Sequence, residues 1–274
     1  MPASPAQPSH GPDSLAPTPA ERARTLLEFA SSVVVDVPGM DLAHRPGIPP
    51  LARCAVLADG SLAVLVEQDT PLCRIVSVSR GSRTEGLAAV LEAVDVAPVA
   101  MPHRIRGRAT VHGQLDVLTA AAPEVLDGLF PQRPTGVGYA LLRLTPDHLS
   151  VEDLWGSECC VPLTDLGPAA PDPLAADEAA MLQHLAAAHP DHLARLGSLA
   201  LDQPTGPAGW QDHPHGLEVR PVALDRFGLR VRMIDGERIL DARFEFHRPV
   251  TSADQLPEAM HRLFRPADSR RADA

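Results

Sequence analysis

The sequence predicts an α+β protein in two parts, an antiparallel barrel that is closed or nearly closed, followed by a small α-β-β-β-α module. Three observations carry this. Residues 104–117 alternate for fourteen positions: Ile105, Gly107, Ala109, Val111, Gly113, Leu115 and Val117 take one face, and Arg104, Arg106, Arg108, Thr110, His112, Gln114 and Asp116 the other, the period-two signature of a strand with one apolar and one polar side. The first half strings β-branched runs and turn residues together without regular strand–helix alternation, which favours a barrel over a parallel sheet. Past the Pro- and Ala-rich stretch LTDLGPAAPDPLAAD (163–177) the pattern changes. The expected boundaries are a disordered tail over 1–20, the barrel over 21–165, the module over 172–265 and a frayed tail over 266–274.

In order along the chain, ERARTLLEFASS (21–32) has Ala23, Leu26, Leu27 and Ala30 at helical spacing and runs into the strand VVVD. ARCAVLA and SLAVLVE flank Asp59-Gly60, a hairpin signal. LCRIVSVS (72–79) reads as a strand, EGLAAVLEAV (85–94) as a short helix and PEVLDGLF (123–130) as another. GYALLRLTPDHLSVEDLW (138–155) reads as a strand pair around a Thr-Pro-Asp turn. In the second part a helix is expected over about 175–196, kinked or restarted at Pro190, then strands LEVRPVAL, GLRVRMI and ERILDARFEF, the last two joined at Asp235-Gly236. A final helix opens on Ser252-Ala-Asp-Gln255, a capping-box pattern.

Composition narrows the function. The formal charge of −11 argues against a nucleic-acid groove or an anionic membrane as the main partner. All 24 basic residues are Arg, a coding bias that makes an Arg cluster less telling than usual, and 3% aromatics leave little for a base-stacking platform. The N-terminal segment lacks a signal-peptide pattern and no span is apolar enough for a membrane, so cytoplasmic residence with reduced thiols is expected. Cys54, Cys73, Cys159 and Cys160 lack zinc-site spacing. Cys54 and Cys73 read as small buried side chains. The vicinal Cys159-Cys160 pair has no cation beside it in the sequence to activate a thiol and reads as structural. GxGxxG, P-loop, HExxH and GxSxG patterns are absent.

What remains is histidine and arginine. His184, His189 and His192 fall in HLAAAHPDHLARL; on a continuous helix His189 and His192 share a face with Leu182, Leu185 and Leu196. Burial keeps such an imidazole neutral and leaves a nitrogen lone pair for iron, although a hydrogen-bonded core or interface histidine is the commoner outcome. His247 falls on the polar side of the last strand with Asp241, Arg243 and Glu245, where it can ligate iron at a sheet end or simply be solvated. His213 and His215 form a weak HxH signal. The Arg104, Arg106, Arg108 and His112 face offers fork-shaped donors for carboxylates or phosphate, or is the solvated side of a sheet.

The stretches PDPLAADEAAMLQHLAAAHPDHLARL, VALDRFGLRVRM and RFEFHRPVTSADQLPEAMHRLF, over about 170–265, resemble the small C-terminal domain of HugZ-type haem oxygenases and their haem-binding relatives. His184, Leu185 and His189 match that pattern, as do Asp225, Arg226, Phe227, Gly228, Phe246, Pro249 and Val250. In the first half, Arg108-Ala-Thr-Val-His-Gly113 and LLRLTPDHLSVEDLWGSE look like strands of a pyridoxamine-phosphate-oxidase-like, FMN-binding-type split barrel. The resemblance implies a homodimer that binds haem, with iron on His189 first, or on His184 or His247, and the arginine face on the propionates. It implies haem handling or oxidative haem breakdown. Ala186 and Ala188 stand where the family has Asn and Asp, which keeps a cofactor-free binding or regulatory module as an alternative. The loop after Cys73 lacks the His, Arg and Asn of a flavin-phosphate site, so FMN is not expected and a flavin- or deazaflavin-dependent oxidoreductase ranks third.

Overall fold

The structure, a computed structural model, describes residues 16–40, 42, 52–68, 70–80, 86–117, 123–131, 138–202 and 216–269. It is a mixed α/β protein with a curled antiparallel half-barrel sheet and a few helices. Two compact units divide it: residues 17–96 with 105–171, and residues 97–104 with 172 onward. The segment 97–104, inside the span expected for the barrel, thus groups with the second unit.

In the first unit α1 (Pro19–Phe29) starts at Thr18, whose hydroxyl accepts the Glu21 amide while the Glu21 carboxylate accepts the Thr18 amide, a closed capping box followed by Pro at the first helical position. The expected tail is therefore helical at its last two positions; residues 1–15 lie outside the described residues. Ala20, Ala23, Leu26 and Leu27 are buried. Strands β1 (Ser32–Asp36), β2 (Arg53–Val56) and β3 (Leu62–Glu67) follow, the last two a hairpin around Gly60 at φ +81°, a left-handed position that glycine fills without strain.

The next two elements exchange the expected types. LCRIVSVS lies in a helix, α2 (Pro71–Arg80), and LAAVLEAV in a strand, β4 (Leu87–Val96). The Thr70 hydroxyl accepts the Cys73 amide and Pro71 stands at the first turn, so the start of α2 was written in Thr-Pro while its β-branched residues pointed the other way. Its buried pair, Leu72 and Val76, is spaced by one helical turn. In β4 the residues Leu87, Ala89, Leu91 and Ala93 are buried at period two. Pairing on both edges, to β1 and to the next strand, overrides the helix propensity of Ala, Leu and Glu.

Strand β5 (Ile105–Val117) keeps the expected alternation, with Gly107, Ala109, Val111, Gly113 and Leu115 buried, while Ile105 at its start is exposed. After α3 (Pro123–Leu129) comes β6 (Tyr139–Asp153), one strand of fifteen residues where a strand pair was expected. Thr145-Pro146-Asp147 makes a bulge opposite His112-Gly113 instead of a turn. Gly113 permits it, since a Cβ there would stand 2.2 Å from the Thr145 carbonyl oxygen. β7 (Gly156–Cys160) and α4 (Leu163–Leu166) complete the unit.

The sheet order is β1-β4-β5-β6-β3-β2, with β7 also on β6. Its two ends meet through the Ala52 amide, which donates to the Val33 carbonyl at 3.3 Å. The concave core holds Leu27, Leu91, Leu142, Leu144 and Leu149, each at most 1% exposed. Each such side chain contributes roughly 1.5–3 kcal/mol.

In the second unit the expected long helix is two, α5 (Glu178–Ala188) and α6 (Pro190–Leu201), broken at His189. Pro190 can open a helix but not continue one, and the His189 backbone, at φ −129° and ψ 40°, ends one helix and begins the next. Strands β8 (Glu218–Asp225), β9 (Gly228–Asp235) and β10 (Arg238–Glu245) form an antiparallel meander. A 3-10 turn, Ala253–Gln255, leads into α7 (Leu256–Ser269), so the expected C-terminal tail is helical as far as Ser269. The Gln255 side chain accepts from the Thr251 amide and hydroxyl, so the reach-back lands on Thr251 and not on the expected Ser252. Leu182, Leu185, Leu193, Leu196, Leu229 and Val231 pack with Met260 and Phe264. Among the described residues no helix is long and apolar enough to cross a membrane.

Candidate functional site

The residues that carry the family resemblance in the second unit meet in space and shape a cleft. Asp225-Arg226-Phe227-Gly228 is the turn between β8 and β9. The Asp225 carboxylate accepts the Phe227 and Gly228 amides and holds the Arg243 guanidinium with both oxygens, at 2.7 and 2.9 Å. The turn then anchors the segment after β10: the Phe246 amide donates to the Phe227 carbonyl and the Val250 amide to the Arg226 carbonyl, both at 2.7 Å. Phe246 and Val250 are buried as a result, and His247, Arg248 and Pro249 between them are pushed out as an exposed arch.

Across from this arch stand Gln255 of the 3-10 turn and Glu258, Ala259, Arg262 and Leu263 of α7, and the open cleft between has a volume of about 700 Å³. Small-molecule and cofactor sites run roughly 300–1,000 Å³. The walls combine apolar surface from Phe246, Val250, Ala259 and Leu263 with the His247 imidazole and the guanidinium groups of Arg248 and Arg262. Arg262 is paired with Glu258 at 2.6 Å, an exposed i,i+4 pair that a ligand can open at little cost. No hydrogen bond among the described residues engages His247.

The helical histidines sit otherwise. His184, His189 and His192 form a row of edge-on rings, with centroids 5.2 and 5.7 Å apart, and His192 ends the row against Phe264 at 4.6 Å. His184 is exposed and the other two half-buried. The break at His189 shifts the apolar face, so Leu193 is buried with Leu196 where a continuous helix would have placed His192. His247 lies just past β10, which ends at Glu245, and not on the strand. His213 and His215 lie outside the described residues.

The arginine face is turned to protein partners. The Arg104 guanidinium donates to the Ala97 carbonyl at 2.8 and 3.0 Å and ties off the 97–104 segment. Arg106 pairs with Asp95 at 2.6 Å and Arg108 with Glu92 at 2.7 Å, both partners on β4. The His112 ring lies 6.2 Å from that of His148. Among the described residues no three His, Cys, Asp or Glu side chains are grouped to hold a metal ion.

The sequence reading missed two arrangements. The sequence shows no cation next to Cys159-Cys160, but Arg22, 137 residues away, donates to the Cys159 sulfur at 3.0 Å. On the other side of the strand the Cys160 sulfur is 3.9 Å from Nε2 of His148. Only the β6–β7 pairing and the packing of α1 reveal these contacts. Cys54 is buried and burial pushes its thiol pKa up; Cys73 stands on α2 and donates to the Glu67 carbonyl.

No protein-family model matches the chain, and no curated protein matches it. Among solved structures, it is similar to a haem-binding protein from Mycobacterium smegmatis at 18% identity, with a TM-score of 0.50 over 93% of this chain and 99% of that one. A protein of unknown function from Agrobacterium tumefaciens aligns at 17% identity over 94% of this chain and all of that one, with a TM-score of 0.34. The mycobacterial likeness is one of fold.

Proposed function

We propose that this protein binds haem in the cleft between the 246–251 arch and α7, on a HugZ-type split barrel with its small C-terminal domain, and that it works as a cytoplasmic homodimer. The observation that carries the reading is the exposed His247 imidazole in a cleft of about 700 Å³ that also holds apolar walls and two guanidinium groups. That donor set fits haem: one nitrogen for the iron, apolar surface for the macrocycle and cations for the propionates. The haem-binding protein with a similar fold supports the choice of ligand. His247 takes the ligand role ahead of His189 and His184, whose rings meet edge-on.

Bound haem would supply the redox chemistry. The chain would hold and orient it. The Phe227–Phe246 and Arg226–Val250 hydrogen bonds fix both ends of the arch, so His247 is offered from a short, anchored segment. Arg248, its neighbour, would orient a carboxylate by its fork of donors.

Titrating hemin into the full chain tests this. A saturable Soret band at one haem per chain is expected, shifted or lost in His247→Ala, weakened in Arg248→Ala and unchanged in His189→Ala. A wild type without a Soret band at micromolar hemin overturns haem binding. Loss of the band in His189→Ala with retention in His247→Ala moves the site to the helix break.

A further inference from the structure

The outer face of the large sheet carries a second constellation, separate from the cleft. Cys160 ends β7 paired with Ser150, and His148 lies two residues before Ser150 on β6, opposite His112 on β5. Side chains two apart on a strand share a face, so thiol and imidazoles stand together in solvent. Cys160, His148 and His112 are all exposed, and the thiol lies 3.9 Å from the imidazole Nε2, at the outer reach of a sulfur hydrogen bond that the thiol donates when this nitrogen carries no proton. Charged groups on this face include Arg106 with its partner Asp95, Arg108 with its partner Glu92, Asp116, Glu152, Asp147 beside His148, and Glu158 on the same strand as Cys160.

The remaining cysteines are arranged for other ends. Cys54 is buried and its pKa is raised, Cys73 donates a hydrogen bond to the Glu67 carbonyl, and Cys159 points to the opposite face of β7, where it packs on the core under Arg22. Adjacent strand residues point apart, so Cys159 and Cys160 cannot bridge without breaking the β6–β7 ladder.

We propose that Cys160 is a reversible oxidation site served by His148. The sulfur attacks the outer oxygen of a hydroperoxide; the S–O bond forms as the O–O bond breaks. Sulfur loses two electrons, giving a sulfenic acid, and the peroxide leaves as an alcohol or water, taking the proton that His148 accepted from the thiol. Cys159 faces away, so the resolving group is a low-molecular-weight thiol. Its sulfur attacks the sulfenic sulfur, an S–S bond replaces S–O, and water departs. Further thiol releases Cys160 by exchange.

The test is competitive alkylation of the native full chain with limiting iodoacetamide, read peptide by peptide. Cys160 should label first, well ahead of Cys73 and Cys159, with Cys54 last. His148→Gln, which keeps a polar chain but takes up no proton, should slow Cys160 several-fold at neutral pH and displace the rise of its rate to higher pH, leaving Cys73 unchanged. After dilute hydrogen peroxide and glutathione, the adduct should be found on Cys160. Faster labelling of Cys73 or Cys159, an unaltered Cys160 rate and profile in His148→Gln, or a Cys159–Cys160 bridge would each overturn the proposal.

Discussion

Strands β5 and β9 look alike in the sequence and end in opposite surroundings. Each alternates arginine with small or apolar residues, Arg106 and Arg108 in one, Arg230 and Arg232 in the other. On β5 the arginine side is only partly covered: Arg106 is 9% exposed against Asp95, but the Arg108 side chain is 46% exposed and its pair with Glu92 stands in water. On β9 both sides are covered. Arg232 is 6% exposed, grips Asp241 of β10 with two hydrogen bonds at 2.7 and 2.8 Å, and donates Nη1 to the carbonyls of Pro102 and His103. The 97–104 segment thus lies against the charged face of the small sheet, while Leu229 and Val231 face the helices. Alternation tells which residues share a face; what covers that face depends on chain brought from elsewhere.

The largest expected effect follows from the buried member. Arg232→Ala leaves the Asp241 carboxylate without its bidentate partner and two carbonyls without their donor, and should destabilise the protein by about 3–5 kcal/mol, the range for breaking a buried pair. Urea unfolding followed by circular dichroism measures it. Replacing both partners at once, Arg232→Met with Asp241→Leu, should recover most of that loss, because no unpaired charge remains. Recovery of none of it would show that the donations to the 97–104 carbonyls are the main role of Arg232.

The same truncation on β5 should do little. Arg108→Ala removes an exposed pair and should change stability by about 1 kcal/mol or less, with the difference shrinking further at high salt. A loss as large as that of Arg232→Ala would mean that something covers the β5 face, and would bring a partner or second copy into question there.

Legibility in the sequence tracks the same divide. Local signals sufficed for the Asp59-Gly60 hairpin, the β5 alternation, the three-strand meander and the restart at Pro190. They misled where composition and pairing disagree: β4 has helix-forming residues at a strand period, and α2 has strand-forming residues behind a Thr-Pro helix start. Pro146 reads as a turn because proline lacks a ladder donor, yet a bulge opposite Gly113 absorbs it. Site chemistry was legible as residue types and not as neighbours. His247 could be named from the sequence, but the cleft requires Phe246 and Val250 to be tied to the Arg226-Phe227 turn well upstream, and Cys160 meets His148 only through strand pairing.

The smallest expected effect carries the comparison to single carboxylates, and its sign is the test. Asp59, in the first unit, is exposed, and hydrogen bonds from the Ser61 hydroxyl and amide hold its pKa below the ordinary 3.8. Asp172, in the second, is half-buried, and burial raises its pKa although the Arg226 and Leu174 amides donate to it. A lowered carboxylate contributes stability that is present above the unfolded pKa and lost as pH falls through the folded one. A raised one contributes stability that is present below the unfolded pKa and lost as pH rises through the folded one. Each Asn variant removes its own titration and adds a pH-independent offset, so only slopes matter. Relative to Asp59→Asn the wild type should lose ground as pH drops below 3.8, and relative to Asp172→Asn it should lose ground as pH climbs from 3.8. Urea midpoints at closely spaced acidic pH values, compared between wild type and each variant, read both slopes. Slopes of the same sign would show that Asp172 is solvated as Asp59 is.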